Sequence, residues 1–297
     1  LHKEYRRQRQ MCIRDRIYTI LLVGLLAIST SPVIARLLPL VPATVISFWR
    51  MATASSMLWC YSSIRPQESL APKNIRLVLA AGFLLAMHFI FWFSALKLTS
   101  IANTTILGIV APAFTLLFER LWYNRKLSGI TITALLIILV GVIIVQGDEL
   151  GSMDSTGLGN IMAILSAVFL GSVFLIGSKV RKTTSVITYT RTVYAVSAIV
   201  LLFSSLVLDN PLMGYTTNNY FWLFMLGLIP TLIGHTAFSY SVKFVSPTVI
   251  AAFPLGEPII ASYLAWLLFA EKVTFSVVGG GLIIFIGLII LINKQSQ

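Results

Sequence analysis

Five ionisable side chains stand inside long apolar stretches of this sequence: Arg50, His88, Arg191, His235 and Glu257. An ionised group at the centre of a membrane-crossing helix costs roughly 2.5–3.5 kcal/mol even on lenient scales, so each should face protein or water and have a partner. Arg50 is the eighth residue of one stretch, Arg191 lies one to two turns inside another, and Glu257 falls mid-stretch. Two positive groups against one negative leave a positive excess, which an anionic or carboxylate-bearing small molecule would balance. The competing reading is a Glu257–Arg pair that ties helices together, with the other Arg extending its stem to the headgroups. His88 and His235 titrate in a range suited to a proton relay. Neither has a second His or a carboxylate at ligand spacing, so no metal site is expected, and an interhelical hydrogen bond is their plainer role. Trp92 is deep enough to wall a cavity, and Asn103 and Thr105 open a fourth helix where small polar groups could line it, as could Ser29, Thr30 and Ser31 in the first.

The prolines beside these residues matter for backbone chemistry. Pro258 follows Glu257; its ring removes one N–H and frees the carbonyl of Pro254 a turn earlier. Pro112 repeats the feature in the fourth stretch. Pro112, Pro254 and Pro258 are therefore expected to kink helices, and a break of this kind survives in lipid only where protein or a cavity satisfies the freed backbone. A mid-membrane carboxylate beside such a break is also a candidate for proton coupling. The alternative is a kink that serves packing alone.

The elements that hold these residues follow from composition. Of 297 residues, 57% are hydrophobic and 11% charged, with a mean hydropathy of +0.90, against about 25% charged in soluble domains. This is an all-α integral membrane protein. Ten apolar stretches are separated by charges, Pro, Gly and Asn: about 17–38, 43–62, 76–97, 99–119, 128–146, 157–178, 186–208, 220–242, 247–269 and 274–292. Each suits a spanning helix of about 20 residues. Runs such as LLIILVGVIIV are apolar on every face, which excludes the alternation of a barrel strand. The net charge of +12 reflects the membrane and not a nucleic-acid partner. With an inside N-terminus, 17 of the 22 Lys and Arg fall on the cytoplasmic side and three on the other, while the loop after the fifth stretch carries Asp148, Glu149 and Asp154. Both termini are expected in the cytoplasm. Residues 1–16 are read as a cytoplasmic tail that need not be native, and the first stretch as a retained helix instead of a cleaved signal. Cys12 and Cys60 have no redox or metal spacing.

Sliding the chain on itself by 146 residues pairs Lys97 with Lys243, Ser100 with Ser246, Pro112 with Pro258, Lys126 with Lys272 and Gly141 with Gly287. A shift of 141 places Arg50 on Arg191 and Ser31 on Ser172. Chance matching of apolar helices explains Leu and Ile identities, but not aligned Arg, Lys and Pro. Five helices, 17–146, are thus followed by five related ones, 157–292. An odd number of crossings inverts the second copy, an architecture of secondary transporters that bind substrate between the copies.

SPVIAR at 31–36, FWRMATA at 48–54, IVAPAFTLLFERL at 109–121 and FPLGEPIIASYLAWLLFAEKVT at 253–274, followed by GGGLIIFIGLI, resemble the EamA-type members of the drug/metabolite transporter superfamily. The resemblance spans about 17–292 and implies ten helices as two five-helix repeats. Arg125 departs from it, standing where the first repeat often carries the acidic residue that Glu271 supplies in the second. The expected function is a secondary transporter of small polar metabolites, such as amino acids or related carboxylates, by alternating access in the bacterial cytoplasmic (inner) membrane. Its expected partners are that substrate, the lipid bilayer and a coupling proton; no cofactor and no catalytic residue are expected. An intramembrane enzyme would need clustered His and carboxylates, which are absent as HxxxxD or DDxxD patterns, and a structural subunit is the third alternative.

Overall fold

The computed structural model describes residues 2–98, 104, 107, 108, 110–123, 128–146, 157–269 and 275–294. Asn103, Thr105, Arg125 and the 148–154 loop lie outside the described residues. All described elements are helical: α1 (His2–Ile28), α2 (Thr30–Arg36), α3 (Ala43–Ile64), α4 (Pro72–Leu98), α5 (Val110–Tyr123), α6 (Gly129–Gln146), α7 (Gly157–Val180), α8 (Val186–Val207) and α9 (Thr217–Leu226) come first. A π-helical run (Gly227–His235), α10 (Thr236–Ser241), α11 (Pro247–Ala252), a 3-10 turn (Phe253–Gly256), α12 (Glu257–Phe269) and α13 (Phe275–Lys294) complete the chain. Among the described residues there is no strand.

Among the described residues, six segments are long and apolar enough to cross a membrane: Asp15–Arg36, Pro72–Leu98, Gly157–Val180, Val186–Val207, Thr217–Ser241 and Pro247–Leu268. Gly129–Gly141 and Val278–Leu291 are shorter apolar helices. α3 is long enough but polar, because Thr44, Ser47, Arg50, Ser55 and Ser62 interrupt it. These five are buried, so the polar side of α3 faces protein. The helical N-terminus reaches back to His2, so part of the expected tail continues the first helix.

α3 packs on α8, α4 on α7 and α8, and α6 on α13, while the π run contacts α1 and α3. One apolar cluster joins Ile46, Met51, Phe89, Phe93, Tyr189 and Tyr194. A second joins Leu21, Leu25, Ile138, Phe174, Phe238 and Phe253. Between them the helices lose regular form at three places. At the α1–α2 break the Ser29 hydroxyl donates to the Leu25 carbonyl (2.7 Å) and the Thr30 hydroxyl to the Ala27 carbonyl (2.7 Å), bonds that bend helices. The π run contains Pro230, which cannot donate to the helical ladder, and the Thr231 hydroxyl donates to the Leu226 carbonyl at 2.9 Å. The third is the 3-10 turn one step before Glu257 and Pro258.

Candidate substrate cavity

Arg50 is 1% exposed. Its Nε donates to the Thr231 hydroxyl at 2.6 Å and its Nη1 to the Ser31 hydroxyl at 2.8 Å. Thr231 belongs to the π run and Ser31 follows the α1–α2 break, so one guanidinium joins two distorted segments. Its carbon lies 4.3 Å from the Phe89 ring centroid and 5.9 Å from that of Phe93. Hydrogen bonds from a charged donor contribute about 1.5–3 kcal/mol each, and a desolvated cation–π contact about 2 kcal/mol. Together they offset the roughly 2.5–3.5 kcal/mol insertion cost. Arg50 is thus held without a carboxylate, and among the described residues no ion pair joins it to Glu257.

Arg50, Ser31, His88, Trp92, His235 and Glu257 all line one cavity, together with Phe89, Ser166 and Pro254. The cavity measures about 690 Å³ with the space at its mouth included. Glu257 is buried (6% exposed) and, among the described residues, has no hydrogen-bond partner. His88 Nδ1 lies 3.0 Å from the Ser166 carbonyl, and the Ser166 hydroxyl lies 2.8 Å from Nδ1 and 3.1 Å from the His88 carbonyl. With Nδ1–H donating to the Ser166 carbonyl and the hydroxyl donating to the His88 carbonyl, Nε2 of the neutral ring is left as an acceptor. The His88 ring stacks on Trp92 (6.1 Å, 30°) and lies 6.2 Å from His235. The wall therefore offers a fixed cation, a carboxylate, two imidazoles and aromatic faces: groups that can bind a small molecule carrying opposite charges and orient it. Among the described residues there is no His, Cys, Asp and Glu cluster able to hold a metal ion.

Arg191 does not join this group. The Ser55 hydroxyl donates to its carbonyl at 3.3 Å, and its guanidinium carbon lies 4.4 Å from the ring centroid of Trp59, which is half-exposed. The two arginines matched in the repeat thus occupy different environments. Pro112 stands in the first turn of α5, where a missing N–H leaves no helical bond unmade, beside an apolar groove with Leu116, Leu136 and Leu139. Pro258 is buried at the second position of α12, and the distortion it permits falls in the preceding turn. Thr231 and Phe89, which hold Arg50, carried no signal in the sequence, because hydroxyls and phenyl rings are ordinary in membrane helices. Pro230, between Gly227 and Gly234, is the sequence feature that could have pointed to the unexpected π run.

A largely apolar cavity that carries a few buried polar and ionisable side chains, walled by broken helices in an apolar helical bundle, is the architecture of a membrane transporter. The profile of the EamA-like transporter family matches residues 16–146 and again 157–293: the chain belongs to that family. It is 24% identical over 243 residues to the uncharacterized transporter YxxF of Bacillus subtilis, covering 80% of this chain and 77% of that one. The pseudopaline exporter CntI of Pseudomonas aeruginosa is 22% identical, with coverage of 84% and 86%. An uncharacterized transporter of Archaeoglobus fulgidus is 26% identical over 199 residues, with coverage of 67% and 70%. A solved crystal structure superimposes with a TM-score of 0.78 at 16% identity, over 95% of this chain and 99% of the other, a likeness of fold.

Proposed function

We propose that the chain moves a small carboxylate-bearing metabolite, such as an amino acid or a related compound, across the bacterial cytoplasmic membrane by alternating access. The observation that carries this reading is the pairing of Arg50 and Glu257 in one cavity wall with no bond between them. Arg50 keeps its place through Thr231 and Ser31, leaving Nη2 for a substrate carboxylate, and Glu257 faces the same space for an amine or a proton. His88 Nε2, His235 and Trp92 complete the binding wall, and Asn103 is assigned to it on sequence grounds. Export is the direction stated in the name of the pseudopaline relative, and we take export as the direction here.

Ten crossings in two inverted repeats, 17–146 and 157–292, with both termini cytoplasmic, form part of the same proposal. The helix contacts support it, since they keep their pattern when the halves are exchanged. α4 on α7 corresponds to the π run on α1, α4 on α8 to the π run on α3, and α6 on α13 maps onto itself. Alternating access then requires the halves to separate at one end at a time. At one end Asn74 Nδ2 donates to the hydroxyls of Thr183 (3.1 Å) and Thr184 (3.0 Å). At the other Asn210 Nδ2 donates to the Thr44 hydroxyl (2.9 Å) and Trp49 Nε1 to the Leu212 carbonyl (3.0 Å). These bonds cross between the proposed halves and are the contacts each opening must break.

A melting screen of the purified protein against a metabolite library tests the reading, because a ligand that binds only the folded state raises the transition. Stabilisation by zwitterionic amino acids or small carboxylates, absent with their esters, which lack the carboxylate, is the expected result. Stabilisation by purely cationic or apolar compounds instead would overturn the assignment.

A further inference from the structure

Away from the cavity, a cleft of about 990 Å³ including its mouth lies between the last turn of α7 and the turn joining α10 to α11. Three of its nine lining residues are lysines, Lys179, Lys182 and Lys243, all exposed, and Ser178 and Ser246 also face it; no acidic residue lines it among the described residues. The basic residues are positioned by buried structure. Arg181, 3% exposed, turns inward where α7 ends; its Nε donates to the Ser239 carbonyl at 2.9 Å and its Nη1 to the Thr184 carbonyl. This clamps the loop of Lys182 against α10 and sets it opposite Lys243. The same end of the bundle is tied to the first turn of α4 by Asn74 and to the α3–α4 loop by the Thr188 hydroxyl, which donates to the Glu68 carbonyl at 2.8 Å.

Three ammonium groups around one concave wall repel each other, and low-dielectric walls focus their field. Arg181, itself cationic, donates to backbone carbonyls and so brings no negative charge to the lysines. Beside the lysines, Phe244 is 48% exposed, with Lys243 Nζ 5.8 Å from its ring centroid and Tyr240 packed against it at 5.4 Å. A cationic cleft edged by an exposed aromatic at a helix end matches the boundary where a lipid headgroup meets its acyl chains. The geometry points to a binding site for a phosphate-bearing anion, the headgroup of an anionic phospholipid or a free phosphate, at Lys179, Lys182 and Lys243. It shares no lining residue with the transport cavity, so it stands whether or not the substrate assignment does. A bound phosphate would bridge α7, which carries Ser166, to the helix that carries His235.

The full chain in zwitterionic detergent, titrated with phosphatidylglycerol, phosphatidylcholine or inorganic phosphate and read by native mass spectrometry and melting temperature, tests this. Each lysine near an anionic surface contributes about fivefold, so Lys179→Gln/Lys182→Gln/Lys243→Gln should weaken phosphatidylglycerol binding about a hundredfold. The same-end control Arg65→Gln/Lys73→Gln/Arg76→Gln should change it less than fivefold, and phosphatidylcholine should distinguish none of the proteins. Stabilisation of wild type but not of the triple variant by phosphate alone would assign the site to a free anion. If the triple variant does not fold, Lys182→Gln alone should show the single fivefold loss. Unchanged phosphatidylglycerol and phosphate binding in the variants, or an equal loss in the control, would overturn the site.

Discussion

Arg50 owes its position to two hydroxyls and two aromatic rings, and those partners determine what its removal does. Thr231 keeps its bond to the Leu226 carbonyl when the guanidinium is gone, so Arg50→Ala should shift the melting temperature by only a few degrees while transport falls at least about a hundredfold, the scale of a buried charge pair with substrate. Arg50→Lys should recover part of it, because an ammonium cannot offer the fork. Arg191→Ala should leave transport within about threefold of wild type, since that side chain lies beside Trp59 and away from the cavity; initial rates in proteoliposomes check all three. Glu257→Gln should still bind and exchange substrate but lose accumulation driven by a pH gradient. Persistence of that accumulation would remove Glu257 as the proton carrier. Arg50, Glu257 and both histidines were legible in the sequence because an ionisable group in an apolar run is costly without a purpose. The different surroundings of Arg50 and Arg191 were not, because the repeat register equates them and only the packed helices supply Thr231 to one of them.

Helix boundaries and breaks show where elementary propensity stops. Pro254 and Pro258 carried the expectation of a kink, and a 3-10 turn occupies Phe253–Gly256, whereas the break at Ser29 depends on hydroxyls turning back on their own helix, a choice tertiary packing makes. The crossing of α6 and α13 brings together the two glycines that the 146-residue shift pairs. A Cβ at Gly141 would sit 2.7 Å from the Gly280 carbonyl oxygen and 2.8 Å from the Ile284 nitrogen; one at Gly287 would sit 2.5 Å from Ile138 Cγ1 and 3.0 Å from the Ala134 carbonyl oxygen. These neighbours are related by the same 146-residue shift as the glycines themselves. Gly141→Val and Gly287→Val should therefore each destabilise by about 1–3 kcal/mol, the range for overpacking a tight contact, and by similar amounts. Melting or denaturant titration in detergent reads this, and a strongly unequal pair would contradict the equivalence of the two halves.

For the molecule as a whole, membrane residence followed from composition, and the all-helical class from the uniformly apolar runs. Among the described residues, six of the ten expected crossings meet the length and hydropathy of a span; α3 does not, since its polar residues serve the interior and lower its apparent hydropathy. The basic asymmetry predicts sidedness. With Cys60 and Cys12 replaced by Ser, single cysteines at 148–154 should react with an impermeant thiol reagent in intact cells, while those at 65–75 should stay unlabelled until the membrane is opened; the reverse pattern would invert the topology. The central claim is that Arg50 anchors a substrate carboxylate in an alternating-access cavity, and counterflow tests it most directly. Proteoliposomes preloaded with the unlabelled amino acid or carboxylate that stabilises the protein should transiently concentrate its radiolabelled form. Arg50→Ala vesicles, with equal insertion and a near wild-type melting temperature, should not. Equal counterflow in the two proteins, or equal counterflow by wild type of the ester that lacks the carboxylate, would contradict the account.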